Sequence, residues 1–183
     1  PYRLLSTAIT PRPIGWISTT STDGVDNLAP YSFCNVVAVD PPVVMFAPVG
    51  RDDLKHTPQN VADTEEFVLN TVTHDIVEVM NATSATLPAD ESEFDHVDID
   101  RAESAVVDPP RVAAACVALE CELYDWLEVG DSVLILGEVV HAHVDEAVLT
   151  DEKIDLHALD TLGRLAGNYY ASPRDRFELE RPP

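Results

Sequence analysis

The chain has 183 residues, with 11 basic against 33 acidic side chains and a formal net charge of −22. That length supports one domain, spanning 1–183, with a single core, and an apolar share of 45% excludes a disordered chain despite the charge. No apolar run approaches the ~18 residues of a membrane helix, residues 1–5 show no signal peptide, and no basic stripe exists to hold nucleic acid. The expectation is a cytoplasmic protein with small-molecule partners, no nucleic acid and no membrane.

Strand signals dominate the order of elements. Residues 14–20 form a run rich in β-branched side chains, and Asp23-Gly24 supplies a hairpin turn. Residues 27–39 read as a second extended stretch, closed by Asp40-Pro41-Pro42. The apolar run 43–49 reads as a strand buried on both sides, and 66–72 as another. A helix is expected to begin at Pro58, with Thr57 as its N-cap and proline in the first turn. A second, 75–85, places Ile76, Val79 and Met80 on one face. Residues 89–108 hold eight carboxylates and one arginine, and read as a solvated surface excursion. The longest strands, 112–126 and 132–144, are joined through Glu128-Val129-Gly130-Asp131. The sum is a mainly β, mostly antiparallel domain with a few short helices, closed as a barrel.

Lys55 and Lys153 are the only lysines, while arginine supplies the other nine cations. This lysine-poor, aspartate-rich surface reads as halophilic. At ~1 M salt the Debye length is ~3 Å, so the carboxylates are screened from one another. The fold is therefore expected to persist in molar salt and to be lost in millimolar salt. Circular dichroism unchanged between the two would contradict this.

Few catalytic signatures are present. There is no GxSxG, HExxH or GxGxxG, and residues 50–57 echo a P-loop without its second glycine. Asn81-Ala82-Thr83 has the form of a glycosylation acceptor but no secretory context. Cys34, Cys116 and Cys121 form no CxxC pair and read as buried thiols in a reducing compartment. His141 and His143 share a strand face, but no third ligand is evident, so they read as a solvated pair and no metal is assigned. The start of the helix near Pro58 is the one local candidate. Its free N–H groups, Lys55 and the nearby Arg51 make a phosphate cradle on an otherwise negative chain. The alternative is that Thr57 only caps the helix and Lys55 only neutralises Asp52 and Asp53.

Five blocks in order carry a resemblance. They are Pro11-Arg12-Pro13-Ile14-Gly15-Trp16-Ile17-Ser18-Thr19; Asn27-Leu28-Ala29-Pro30-Tyr31-Ser32-Phe33-Cys34-Asn35 with Asp40-Pro41-Pro42; Lys55-His56-Thr57 with Asn60; Glu66-Phe67-Val68-Leu69-Asn70; and Gly163-Arg164-Leu165-Ala166-Gly167-Asn168-Tyr169-Tyr170-Ala171. Together they resemble the flavin reductase-like, FMN-binding split-barrel family. The resemblance implies a Greek-key split barrel, a homodimer, and FMN (or FAD) in a cleft at the subunit interface. NADH or NADPH would be the hydride donor, and a redox partner protein is among the implied acceptors. The alternative it leaves open is a flavin-binding electron carrier without nicotinamide turnover.

Carried over by motif, Ser32 and Asn35 fall beside the ribityl-phosphate side, and Lys55, Thr57 and Asn60 fall in the phosphate block. Arg12, Trp16 and Ser18 match the strand bordering the isoalloxazine ring. Arg164, Asn168 and Tyr169 match the block that closes the site. No catalytic side chain is assigned, because the cofactor carries the reactivity. Two departures stand out: His56 replaces the family's acid between lysine and threonine, and Ala166-Gly167 replaces its paired glycines.

Overall fold

In the computed structural model, which describes residues 1–50 and 55–182, the chain opens with α1 (Tyr2–Ala8), an element the sequence reading omitted. There follow β1 (Gly15–Thr20), β2 (Asp26–Tyr31), β3 (Cys34–Val39) and β4 (Pro42–Phe46). Next come α2 (His56–Thr64), β5 (Glu66–Thr71), α3 (Val77–Ala82) and α4 (Glu93–His96). The pair β6 (Arg101–Ala102) and β7 (Arg111–Val112) precedes the long hairpin β8 (Val117–Val129) and β9 (Ser132–Val144). Two short ladders end the chain: β10 (Leu149–Thr150) with β11 (Lys153–Ile154), and β12 (Gly163–Arg164) with β13 (Tyr170–Ala171).

Seven strands form one antiparallel sheet in the order β2-β1-β5-β8-β9-β4-β3. Its two edges, β2 and β3, are consecutive in the chain, separated only by Ser32 and Phe33. Three Cα–Cα steps span at most about 11 Å, so the sheet must curl until its two edges approach at that corner. That is the split β-barrel, and the split lies at Ser32–Phe33.

Residue alternation on β1 builds two cores at once. Ile17 points into the barrel with Phe46, Phe67, Cys121 and Ile135. Trp16 points outward, into a second cluster with Leu28, Met80, Phe94 and Val112. The outer cluster is roofed by α3 and α4, which is why β1 is buried on both faces. Gly137 on β9 is obligatory for the inner core, since a Cβ there would collide with the Phe67 ring.

Several expected boundaries are corrected. The stretch 27–39 is two strands, because the chain leaves one sheet edge for the other. Strand 43–49 stops at Phe46, and the 112–126 strand starts at Val117, since Val112 pairs with Arg101 instead. The helix over 75–85 is a 3-10 turn at His74–Ile76 followed by α3, and it ends at Ala82. Residues 89–108 are not merely solvated. Phe94 is fully buried in the outer core, and Arg101 anchors the segment through Asp26 and Asp95 at 2.8 and 2.7 Å. Charge composition hid a single aromatic plug.

Candidate functional site

The α2 helix starts two residues earlier than expected. Lys55, not Thr57, is the N-cap, in an extended conformation (φ −72°, ψ 173°). The first turn of the helix therefore starts beside the lysine rather than beyond it, and Pro58 within that turn has no N–H. Thr57 turns inward. Its hydroxyl accepts from Asn27 Nδ2 at 2.7 Å and interacts with the Tyr31 hydroxyl. Burial pushes the Tyr31 phenol up to about 12, with the Thr57 bond opposing the rise and the charge of Glu93 adding to it, so Tyr31 is a neutral hydroxyl near pH 7. Glu93, buried at the start of α4, accepts the Leu28 N–H at 2.9 Å. These bonds fix α2, β2 and α4 around one opening.

That opening is a chain of connected recesses at the barrel's split. The first, about 470 Å³, is lined by Asn27, Tyr31, Lys55, His56, Thr57 and Glu93. A middle one of about 280 Å³ takes Tyr2, Tyr31, Ser32, Asn81, Arg164 and Tyr170. A third, about 500 Å³, is lined by Glu78, Asn81, Arg164, Asn168 and Tyr170. Lys55, Tyr31 and Ser32 also border a side recess with Phe33 and Pro48. They share lining residues, so Ser32, Lys55, Thr57, Arg164 and Asn168, far apart in sequence, border one row of adjoining recesses, here called the groove. Lys55 and the α2 N–H groups stand at one end. At the other, the Arg164 guanidinium lies 4.5 Å from the Tyr170 ring centroid and donates to the Gly167 carbonyl at 2.5 Å.

The remaining expected residues lie elsewhere. Trp16, Ser18 and Asn60 are buried and line none of these recesses: Trp16 Nε1 donates to Thr83 at 2.9 Å, Ser18 to the Pro110 carbonyl at 2.5 Å, and Asn60 to Thr19 at 3.0 Å. Arg12 is buried as well, donating to the carbonyls of Ser6, Ile9 and Leu165 at 2.6, 2.8 and 3.1 Å. It thereby ties α1 to the C-terminal block. Arg12 and Asn35 border a separate apolar hollow of about 430 Å³ with Leu69, Leu119 and Leu162. Tyr169 is exposed. Arg51, Asp52 and Asp53 lie outside the described residues.

Sequence reading did not single out Tyr2, Tyr31, Asn81, Glu93 or Tyr170 as groove residues. Tyr2 rides on the unforeseen α1, and Asn81 had shown only a glycosylation pattern. Tyr170 donates to Asn81 Oδ1 at 3.1 Å, closing the groove's far end. Its aromatic neighbours were the available signal.

The donor set fits an extended ligand with an anionic tail and a planar aromatic body. A lysine, helix N–H groups and a serine hydroxyl suit a phosphate and polyol, while three tyrosines and a guanidinium suit a ring. Comparison with known proteins agrees. The family model described as flavin reductase like domain matches residues 7–165. An uncharacterized protein of Aquifex aeolicus is 40% identical over 98% of this chain and 93% of its own. Nitrilotriacetate monooxygenase component B from Bacillus cereus superposes with a TM-score of 0.94 at 34% identity, covering 97% of this chain and 92% of that one. Pseudomonas fluorescens 2-nitrobenzoate 2-nitroreductase does so with a TM-score of 0.90 at 30% identity, covering 99% and 90%.

Proposed function

Because the chain belongs to the flavin reductase-like domain family, we propose that it is an FMN-binding oxidoreductase that takes a hydride from NADH or NADPH for delivery to flavin or a flavin-linked acceptor. The observation that carries this reading is the row of adjoining recesses, sharing lining residues, from Lys55 to Arg164 and Tyr170. Lys55 and the α2 N-terminus neutralise the phosphate, and Ser32 hydrogen-bonds the polyol beside it. FMN ends at that phosphate, whereas FAD would carry an adenylyl group beyond it. Bound flavin would supply the hydride-accepting ring. Arg164, Asn168 and Tyr170 border that ring, while Tyr169 is free to close over it.

Trp16 and Thr57 act as positioning residues through their bonds to the groove-lining Thr83 and Asn27, while Arg12, Ser18 and Asn60 act further back, bracing the elements that carry the walls. Asn35 stands on the edge strand β3, whose Val36, Val37 and Val39 side chains are exposed. An apolar free edge of this kind is a natural seat for a second copy, and the reading includes a homodimer. The names of the two solved relatives, an oxygenase component and a nitroreductase, give two acceptor classes, a partner protein and a small nitroaromatic.

The test is titration with FMN in molar salt, followed by NADH or NADPH oxidation. Quenching at one FMN per chain with nicotinamide turnover is expected. Tight FMN binding without turnover with either nucleotide would make the protein an electron carrier. Absence of flavin binding would overturn the reading.

A further inference from the structure

The β8–β9 hairpin carries a second constellation that the groove does not use. Glu120 on β8 is fully buried. Its Oε1 accepts the Ala105 N–H at 2.7 Å, and its Oε2 accepts those of Val106 and Val107 at 2.7 and 3.2 Å. His143 Nε2 lies 2.5 Å from Oε1. The exposed His141 ring packs edge-on against His143, with centroids 4.6 Å apart. One ligand atom from each of the three residues lies within 4.8 Å of the others.

We propose that Glu120, His141 and His143 bind a divalent transition-metal ion of zinc's chemical type, with water completing its coordination. The two histidines were visible in the sequence, and the missing third ligand is the carboxylate that strand pairing places beside them: Glu120 pairs with His141, and Ala118 with His143.

Three arguments support the site. A hydrogen bond joins Nε2 and Oε1, and a metal ion would take the place of its hydrogen between the same atoms. Bonds of ~2.0–2.2 Å about a tetrahedral ion separate ligand atoms by roughly 3.4 Å. The 2.5 Å contact must therefore widen by under an ångström, which the partly exposed His143 side chain allows. The three backbone N–H bonds hold the carboxylate in a fixed direction, the outer support that metal ligands require. Two imidazoles and one carboxylate select zinc, cobalt, nickel or copper over magnesium and calcium, which demand oxygen ligands. The site needs no flavin, so it stands apart from the groove.

The experiment uses tag-free, chelator-stripped full-length protein in molar potassium chloride, titrated with Co²⁺ and then challenged with Zn²⁺. Expected is one equivalent of Co²⁺ with tetrahedral visible bands, no thiolate-to-cobalt band in the near ultraviolet, and displacement by Zn²⁺. His141→Ala, which removes an exposed side chain, is expected to weaken binding at least about tenfold while leaving circular dichroism and FMN binding unchanged. His143→Gln is expected to weaken it further. Failure to take up stoichiometric Co²⁺ or Zn²⁺, a thiolate band, or uptake unchanged in His141→Ala would each overturn the proposal.

Discussion

Lys55→Ala is expected to weaken FMN binding by about 10- to 100-fold, whereas Lys153→Ala leaves it unchanged. A charge-assisted hydrogen bond contributes about 1.5–3 kcal/mol, and each 1.4 kcal/mol is tenfold. Lys55 is exposed at the groove's rim, so solvent screening places the loss toward the lower figure. Lys153 is also exposed, but it lies on β11, outside the walls of the groove. The pair therefore removes one charge each from a chain of net charge −22, and only one of them from the site. Both dissociation constants are measured by flavin fluorescence quenching in the same molar salt. Equal values would remove Lys55 from the phosphate end. Riboflavin, which lacks the phosphate, sharpens the test: its binding should be insensitive to Lys55→Ala.

The contrast between Lys55 and Thr57 shows what a linear sequence reveals of such a site. The lysine and the helix start beside it follow from local chemistry, since the two are neighbours along the chain. The role of Thr57 does not. Its hydroxyl was expected to cap the helix, but Asn27 and Tyr31 claim it from β2. The same distinction holds for the fold. Strands β1, β5 and β9 were legible within about a residue of their ends, because period and β-branching are local. The switch of sheet edge at Ser32–Phe33 was not, because nothing in 27–39 loses its extended character there. Closure of the barrel depends on partners from β4 and β1, and only their positions separate one long strand from two. Likewise Phe94 is the one phenyl ring among eight carboxylates, and only the hollow above Trp16 and Leu28 reveals its purpose. Motif resemblance reached Arg164 and Asn168 across that gap. Their neighbours Tyr2 and Asn81 come from elements with no motif, so only the structure joins them to the groove.

Glu120→Ala is expected to destabilise the fold by about 3 kcal/mol, the order found when one partner of a buried charged network is removed. The carboxylate is the sole anchor shown for the N–H groups of Ala105, Val106 and Val107, which enter the sheet from a segment without regular structure of its own. Removing it strands these donors beside the barrel and leaves His143 without its acceptor. Glu120→Gln is expected to cost less, since the amide oxygen keeps part of the set while its NH₂ faces donors. The sign of the pH dependence follows from the same contacts. Burial alone would raise the Glu120 carboxyl, but the Ala105 N–H, His143 and the Val106 and Val107 N–H groups outweigh it and lower the value from 4.5 to about 2. A carboxylate depressed in the folded state contributes stability that is complete above its unfolded value and is lost as pH falls through the folded one. The stability gap between wild type and Glu120→Ala should therefore hold constant from neutrality to about pH 5 and close between about 4.5 and 2. Urea unfolding across that range, in molar salt with chelator present so that no metal contributes, measures it. A gap that stays constant to pH 2, or is absent at neutrality, would show that residues 105–107 are held by other contacts.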